Sequence, residues 1–504
     1  MFGTFKRTAW LLGAFVLLCS LHLWLYANMP EARRNWGWPS IVMRNWHEQG
    51  FWHLGGKLVS NAGGLDAGET PFVYPGHQPY FLFLPYCLKE LPGAAGGNGL
   101  LYDFAIVLAV FAGLIRLFGT GVRGVALAFA TCLSPGFFVN VADIDTIGFP
   151  ALMGIAVMAF VGGCLTQTKE KSPWRVISLG MVLVYMLMNW STLFSLCVAA
   201  VYVWAVRPDR KSLGIYFGAG LLAGLAVFAV SILSRHESGA TSGDFWNAYL
   251  WGPAGYSGTG MTWGKAVVRI FGVNVIAWLP LALVAPALLA GNGRGLRWLL
   301  APLPLIAAIV IVLGLRNYNA HHPWNTVSMI GLGLLFSLEL LVAPDRPAPP
   351  APRRGWIAAA AVCSLLFCVA WHALDKFNTR EINALHALIF EHTPRHCLIV
   401  LAEDPQVRGA TDVKEFGSLM DRKMITAAEW EGRRAEIERS GREVFVLGHD
   451  ASLPNTRLIA QSRCATGWDD RIMAAMFDCY RSTISRRPAA ERLVFFSEYR
   501  LYRF

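Results

Sequence analysis

Eleven apolar runs, separated by loops whose basic residues alternate in a regular way, constrain this chain more than any other feature. A membrane-spanning helix needs roughly 20 mostly apolar residues. Runs at 9–26, 100–118, 125–141, 147–165, 175–189, 191–206, 215–233, 268–290, 298–315, 326–342 and 355–371 meet or approach that requirement. The chain is 55% hydrophobic and 15% charged, well below the 25% or so of charged residues in soluble globular proteins. The first run lacks a small-residue cleavage site and exceeds a signal-peptide core, so it reads as a retained span.

Basic residues set the orientation. Lys169, Lys171 and Arg175 precede the stretch 175–206, and Arg207, Arg210 and Lys211 follow it. Placing both clusters in the cytoplasm requires that this stretch cross twice, turning at "NWS" 189–191. The remaining clusters then fall inside as well: Lys6 and Arg7, Arg116 and Arg123, Arg294 and Arg297, and Arg346 with Arg353 and Arg354. The short loops "DIDT" (143–146) and "NW" (189–190) carry no Lys or Arg and fall outside. The expected topology has a cytoplasmic N-terminus and places everything after Trp371 outside. This alternation also accounts for the net charge of +11, and no basic stripe interleaved with aromatics argues for nucleic-acid binding. The ten cysteines show no CxxC spacing.

Three outer stretches are long or unusual. The first, 27–99, contains "WPSIVMRNWHEQGFWHLGGKLV" (38–59), which reads as an amphipathic interfacial helix, and "PYFLFLPYCLKEL" (79–91), which reads as a second one too short to span. The second, 235–267, mixes aromatics and glycines, and the third, "RNYNAHHPWN" (316–325), packs Arg316, Tyr318, His321 and His322 together. Loops longer than about 12–15 residues are usually functional or disordered.

Composition changes after 371. Residues 374–504 are mixed and charged, with strands expected at 397–402, 443–448 and 492–504 and a helix at 427–441. This predicts a soluble α/β domain outside the membrane, joined to a transmembrane domain over 1–373. Cys464 and Cys479 are candidates for a disulfide in that oxidising compartment.

The layout resembles the GT-C superfamily of glycosyltransferases, which includes the protein O-mannosyltransferases and the aminoarabinose transferases. The shared features are an inside N-terminus, a long first outer loop with two interfacial helices, about eleven spans and an outer C-terminal domain. "YPGHQPY" at 74–80 resembles the Tyr-x-x-His-x-Pro stretch that closes the first outer loop in a bacterial branch, and places Tyr74 and His77 in the site. "DID" (143–145) falls where that fold commonly carries an acidic residue. One feature departs from the family: the early first-loop Asp is absent, and "EARRNWGWPS" (31–40) offers only Glu31. The resemblance implies a polyprenyl-phosphate-linked sugar as donor, a cell-envelope acceptor, and a location in the bacterial inner membrane. Some relatives bind a divalent metal near the first loop, although no spacing here demands one.

The chemistry can be argued from residue types alone. Transfer from a polyprenyl phosphate needs a carboxylate to take the acceptor proton and cationic or hydrogen-bonding groups for the leaving phosphate. Glu48, Asp143 and Asp145 are the candidate bases. Arg316, Tyr318, His321 and His322 are the candidate phosphate site. Each also has a plainer role open to it: Glu48 as a solvated helix residue, Asp143 or Asp145 as a helix cap, His77 as a loop brace, and Arg316 as an interfacial anchor. Asp103 and Glu339 lie in apolar runs near helix ends, where both reach an interface. Three other functions share parts of the pattern: a lipid-linked-sugar transporter, an envelope polymerase or ligase, and a catalytically altered scaffold. A transporter should show internal repeats, and none is evident.

Overall fold

Helices occupy the apolar runs, and their ends fall where glycine, proline or charge interrupts the pattern. The computed structural model describes residues 38–66, 69–73, 98–137, 148–166, 173–188, 192–206, 210–236, 263–289, 296–315, 326–342, 384–402, 413–448, 456–462 and 499–504. It also describes short helical pieces between 9 and 21 and between 82 and 87, and positions 319, 362 and 366. Within these, helix α1 is Trp38–Gln49, α2 Asn98–Phe118, α3 Val122–Cys132, α4 Gly148–Thr166, α5 Pro173–Met188 and α6 Thr192–Val206. They are followed by α7 Arg210–His236, α8 Trp263–Leu289, α9 Leu296–Leu300, α10 Leu303–Gly314 and α11 Thr326–Val342.

The stretch 175–206 forms two helices, α5 and α6, as its flanking charges require. The run 298–315 does not form one helix. It breaks at Ala301 and Pro302, and α10 starts with Pro302 at its N-cap and Pro304 in its first turn, where a missing N–H costs nothing. Among the described residues no helix is both long and apolar enough to cross a membrane. The expected spans from 100 to 342 nonetheless each overlap a helix, while most of 355–371 lies outside the described residues.

The chain divides into two compact units, Met1–Ala27 with Pro75–Val369 and Asn28–Tyr74 with Ala370–Phe504. Residues 28–74, most of the stretch expected as the first outer loop, join the C-terminal residues in the second unit.

In the helical unit, small residues let backbones approach, as they do where no hydrophobic drive separates helix from solvent. A Cβ on Gly113 of α2 would lie 2.5 Å from the Ala156 carbonyl oxygen of α4, and one on Gly163 would lie 2.5 Å from the Arg116 oxygen. Deeper in the bundle, Tyr202 of α6 stacks on Phe336 of α11 with ring centroids 4.2 Å apart, against the open face of Gly162.

The second unit carries a five-stranded sheet: β1 Leu398–Leu401, β2 Lys423–Thr426, β3 Val444–Gly448, β4 Arg457–Gln461 and β5 Arg500–Arg503, in the order β2-β1-β3-β5-β4. β1 pairs in parallel with β2 and β3, while β5 runs antiparallel to β3 and β4. The strands β1 and β3 are buried throughout, as parallel strands covered on both faces should be. Their side chains alternate between two cores: Ile399, Leu401, Phe445 and Leu447 face Phe416 and Ile389, whereas Leu398, Val400, Val444 and Val446 face Trp430 and Ile437. Trp430 and Ile437 sit on the helix Ala427–Arg439, which opens with a capping box between Thr426 and Glu429. The strands β2 and β4 were not expected, because each is short and only partly buried.

Candidate functional site

The described ends of two candidate segments meet in the helical unit. Gly136 lies in the helical residues 135–137 that follow α3, just ahead in sequence of the segment that holds Asp143 and Asp145. A Cβ there would lie 2.7 Å from Val327 Cγ1 and 2.9 Å from Ala277 Cβ. Val327 is at the start of α11, immediately after the segment that holds Arg316, Tyr318, His321 and His322. Gly136 and Val327, which stand next in sequence to the acidic and the basic, histidine-bearing segments, are therefore neighbours in the bundle.

Polar contacts pin that junction. Asn274 of α8 donates through Nδ2 to Thr326 Oγ1 at 2.6 Å and to the Ile270 carbonyl at 2.9 Å. Trp278, one turn further along α8, donates Nε1–H to the Val327 carbonyl at 3.0 Å, and its indole fills the space that a side chain at Gly331 would need. Asn274 Oδ1 is buried and finds no hydrogen-bond partner among the described residues, a costly state for an amide oxygen. On the other flank, Asn319 is buried and donates to the Val312 carbonyl at 2.8 Å, which ties the basic segment back onto α10. Asp143, Asp145, Arg316, Tyr318, His321 and His322 themselves lie outside the described residues, as do Tyr74, His77, Glu31, Cys464 and Cys479. The helix α4 is described from Gly148 and has no acidic residue in its first turn.

Glu48 belongs to the other unit, on α1. The expected helix over 38–59 is shorter than its apolar pattern suggests. It stops at Gly50, whose φ of 89° only glycine adopts freely, and the chain then turns through residues 51–56. Its apolar residues Ile41, Val42 and Trp46 are fully buried in protein. Trp46 Nε1 donates to the Lys57 carbonyl at 2.7 Å, and Asn45 Nδ2 to the Val59 carbonyl at 2.9 Å, folding the loop back on the helix.

Arg44 and Glu48, one helical turn apart on α1, join a network of charged groups. Glu48 Oε1 pairs with Arg395 Nη1 at 2.5 Å, and His396 Nε2 lies 3.8 Å from Oε2. Arg395 also donates Nη2–H to Asn45 Oδ1 at 2.9 Å and Nε–H to Asp421 Oδ2 at 2.8 Å. Arg44 Nε pairs with the same Asp421 oxygen at 2.5 Å. Burial works against the charge on Arg395, but Asp421 and Glu48 outweigh it and hold the guanidinium above the usual arginine range. For Arg44 burial prevails and lowers it, reinforced by Arg395 although Asp421 opposes. Glu48 is thus committed to an arginine.

Neither Asp421 nor Arg395 was singled out from the sequence. "PRH" (394–396) and "DRK" (421–423) are short charged clusters flanking strands, a pattern common on any α/β surface. Among the described residues no group of three or more His, Cys, Asp or Glu comes together as a metal site.

No protein-family model and no curated protein matches the sequence. Solved structures do match the fold. The structure of ArnT from Cupriavidus metallidurans bound to undecaprenyl phosphate superposes with a TM-score of 0.53 at 14% identity, covering 90% of this chain and 97% of ArnT. Its apo form gives 0.54 at 14% identity, covering 88% and 94%. The mycobacterial arabinofuranosyltransferase AftD gives 0.48 at 16% identity, covering 90% of this chain and 38% of AftD. The chain has the fold of the GT-C superfamily of glycosyltransferases, the group that its sequence layout resembles.

Proposed function

We propose that this protein is a membrane glycosyltransferase that moves a sugar from a polyprenyl-phosphate donor to a cell-envelope acceptor on the outer face of the bacterial inner membrane. The observation that carries this reading is the likeness, over nearly the whole of both chains, to ArnT bound to undecaprenyl phosphate. The close approach of Gly136 and Val327, which flank the acidic and basic segments in sequence, supports it from within the molecule.

In the proposed reaction the acceptor hydroxyl attacks the anomeric carbon, the bond to phosphate oxygen breaks, and the configuration inverts. The acceptor proton passes to a carboxylate, for which Asp143 and Asp145 are the leading candidates, because Glu48 is paired with Arg395. Arg316, with Tyr318, His321 and His322, balances the charge that grows on the leaving phosphate. Tyr74 and His77 line the donor's approach. The eleven spans, the cytoplasmic N-terminus and the outer placement of 374–504 belong to the same proposal.

The test is a transfer assay on the purified protein in lipid, with polyprenyl-phosphate pentoses and hexoses as donors. Release of free polyprenyl phosphate together with a glycosylated acceptor is expected. Movement of intact lipid-linked sugar across a vesicle bilayer without release would point instead to a transporter.

A further inference from the structure

Asp421 sits in the turn between the helix Val413–Met420 and β2, with a φ of 46°. A non-glycine residue in that left-handed region signals a local constraint, and aspartate tolerates it better than most. Its side chain is 1% exposed, and groups from three separate stretches converge on it. Arg44 Nε from α1 pairs with Oδ2 at 2.5 Å, Arg395 Nε donates to Oδ2 at 2.8 Å, and the Gly63 N–H donates to Oδ1 at 3.0 Å. Two of these, Arg44 and Gly63, belong to the first outer loop.

Neighbouring contacts extend the same junction. Gly63 and Gly64 have φ values of 69° and 81°, and the strand start is so close that a Cβ on Gly63 would lie 2.8 Å from the Lys423 nitrogen. Lys423 then takes Asp66 and Glu69 as ion partners, and Arg442 takes Asp66 as well. Solvated loop residues would not need a buried carboxylate for this, since a buried charge is retained only where partners satisfy it.

Resting on the transferase reading, in which the first outer loop serves the reaction, we infer that Asp421 is a positioning residue. Through Arg44 and Gly63 it holds α1 and the 61–66 stretch on the C-terminal sheet, so turnover depends on the C-terminal residues although they carry no reacting group.

The test uses the full-length protein in lipid nanodiscs, with hydrogen exchange read segment by segment and transfer read alongside. Asp421→Asn keeps the shape and the left-handed tolerance but removes the charge. It is expected to speed exchange in 38–66 at least tenfold, leave 398–401 and 444–448 protected, and lower kcat at least tenfold with the donor KM within twofold. Lys423→Gln, further from the buried carboxylate, should loosen 61–66 alone with a smaller loss of turnover. Equal loss of protection in the sheet would make Asp421 a general core residue of the whole unit and overturn the inference. So would a released loop with full turnover, or no change in exchange. A wild-type protein that transfers no sugar defeats the transferase reading, while the exchange pattern still decides whether Asp421 holds the loop.

Discussion

The backbone N–H of Gly63 donates to the carboxylate of Asp421 at 3.0 Å, across 358 residues of sequence. That bond requires the chain at Gly63 to approach the start of β2 so closely that a side chain has no room. Gly63→Ala should therefore combine strain from its positive φ with displacement of the Lys423 backbone. The expected loss is about 1–3 kcal/mol, read as a lower unfolding midpoint for the C-terminal unit within the whole protein. Gly55→Ala is the control: its φ is also positive, at 61°, but nothing lies within 4 Å of its Cβ, so it should cost less. Equal effects of the two would show that backbone strain matters and the close approach does not.

Acid should weaken the same unit through His386. This side chain is 6% exposed, stacks on Phe390 at 3.8 Å, and its Nε2 has no hydrogen-bond partner among the described residues. Burial lowers its pKa to about 4, helped by Arg44 and Arg422 and opposed by Asp421. The folded state keeps it neutral, while the unfolded chain takes up the proton below about 6.5. Stability is thus full above pH 6.5 and falls as pH drops from there to about 4, by roughly 3 kcal/mol in all. Asp66 and Glu69 add a second loss at lower pH. Burial would raise both, but Lys423 holds them below the usual carboxylate range, aided by Arg442 at Asp66, so their contribution disappears only as they protonate. His386→Phe should flatten the curve between pH 6.5 and 4.5. An unchanged slope in that variant would acquit His386.

The helical layout was legible because its signals are local. Apolar length and flanking charge point to two helices here, and α5 ends at Met188 while α6 starts at Thr192. The paired prolines at 302 and 304 are just as visible, and they start a new helix within the ninth run. The union of 28–74 with 370–504 was not legible. Asn45 meets Arg395 across 350 residues, and no periodicity within α1 tells a buried protein contact from a lipid-facing stripe. Ile41, Val42 and Trp46 look the same to either partner. The glycines at 63 and 64 announced a turn but not the surface it rests on. The adjacency of Gly136 and Val327 likewise depends on how α3, α8 and α11 pack, which three separate apolar runs do not disclose.

Arg316 should matter for the donor and little for folding. Replacing it with Ala removes a charge-assisted hydrogen bond to phosphate, worth about 1.5–3 kcal/mol, so kcat/KM should fall by roughly ten- to a hundredfold. Arg316→Lys should recover only part, because an ammonium lacks the planar fork of a guanidinium. Raising ionic strength should weaken the Lys variant more than the wild type. Undiminished transfer by the Ala variant would take Arg316 out of the phosphate site.

The sharpest prediction separates three carboxylates. Glu48 is held by Arg395 at 2.5 Å with His396 beside it, so its carboxylate is engaged in anchoring α1. Glu48→Gln should therefore loosen α1 and reduce transfer partially, with faster exchange in 38–49 as its signature. Asp143 and Asp145 precede α4 and flank Ile144, so at a helix start they diverge, while in an extended segment they point the same way. One of them is expected to receive the acceptor proton. Its Asn variant should lose transfer by at least a thousandfold while still binding the donor, because the amide keeps the shape and cannot take the proton. The other should tolerate Asn, a good helix cap in its own right. The pH profile offers an independent check: the wild-type acid limb reports the base's ionisation, and Glu48→Gln should leave that limb where it is. A limb that moves with Glu48, or full activity in both Asn variants, would return the base to α1 and place the reaction where Arg395 now sits.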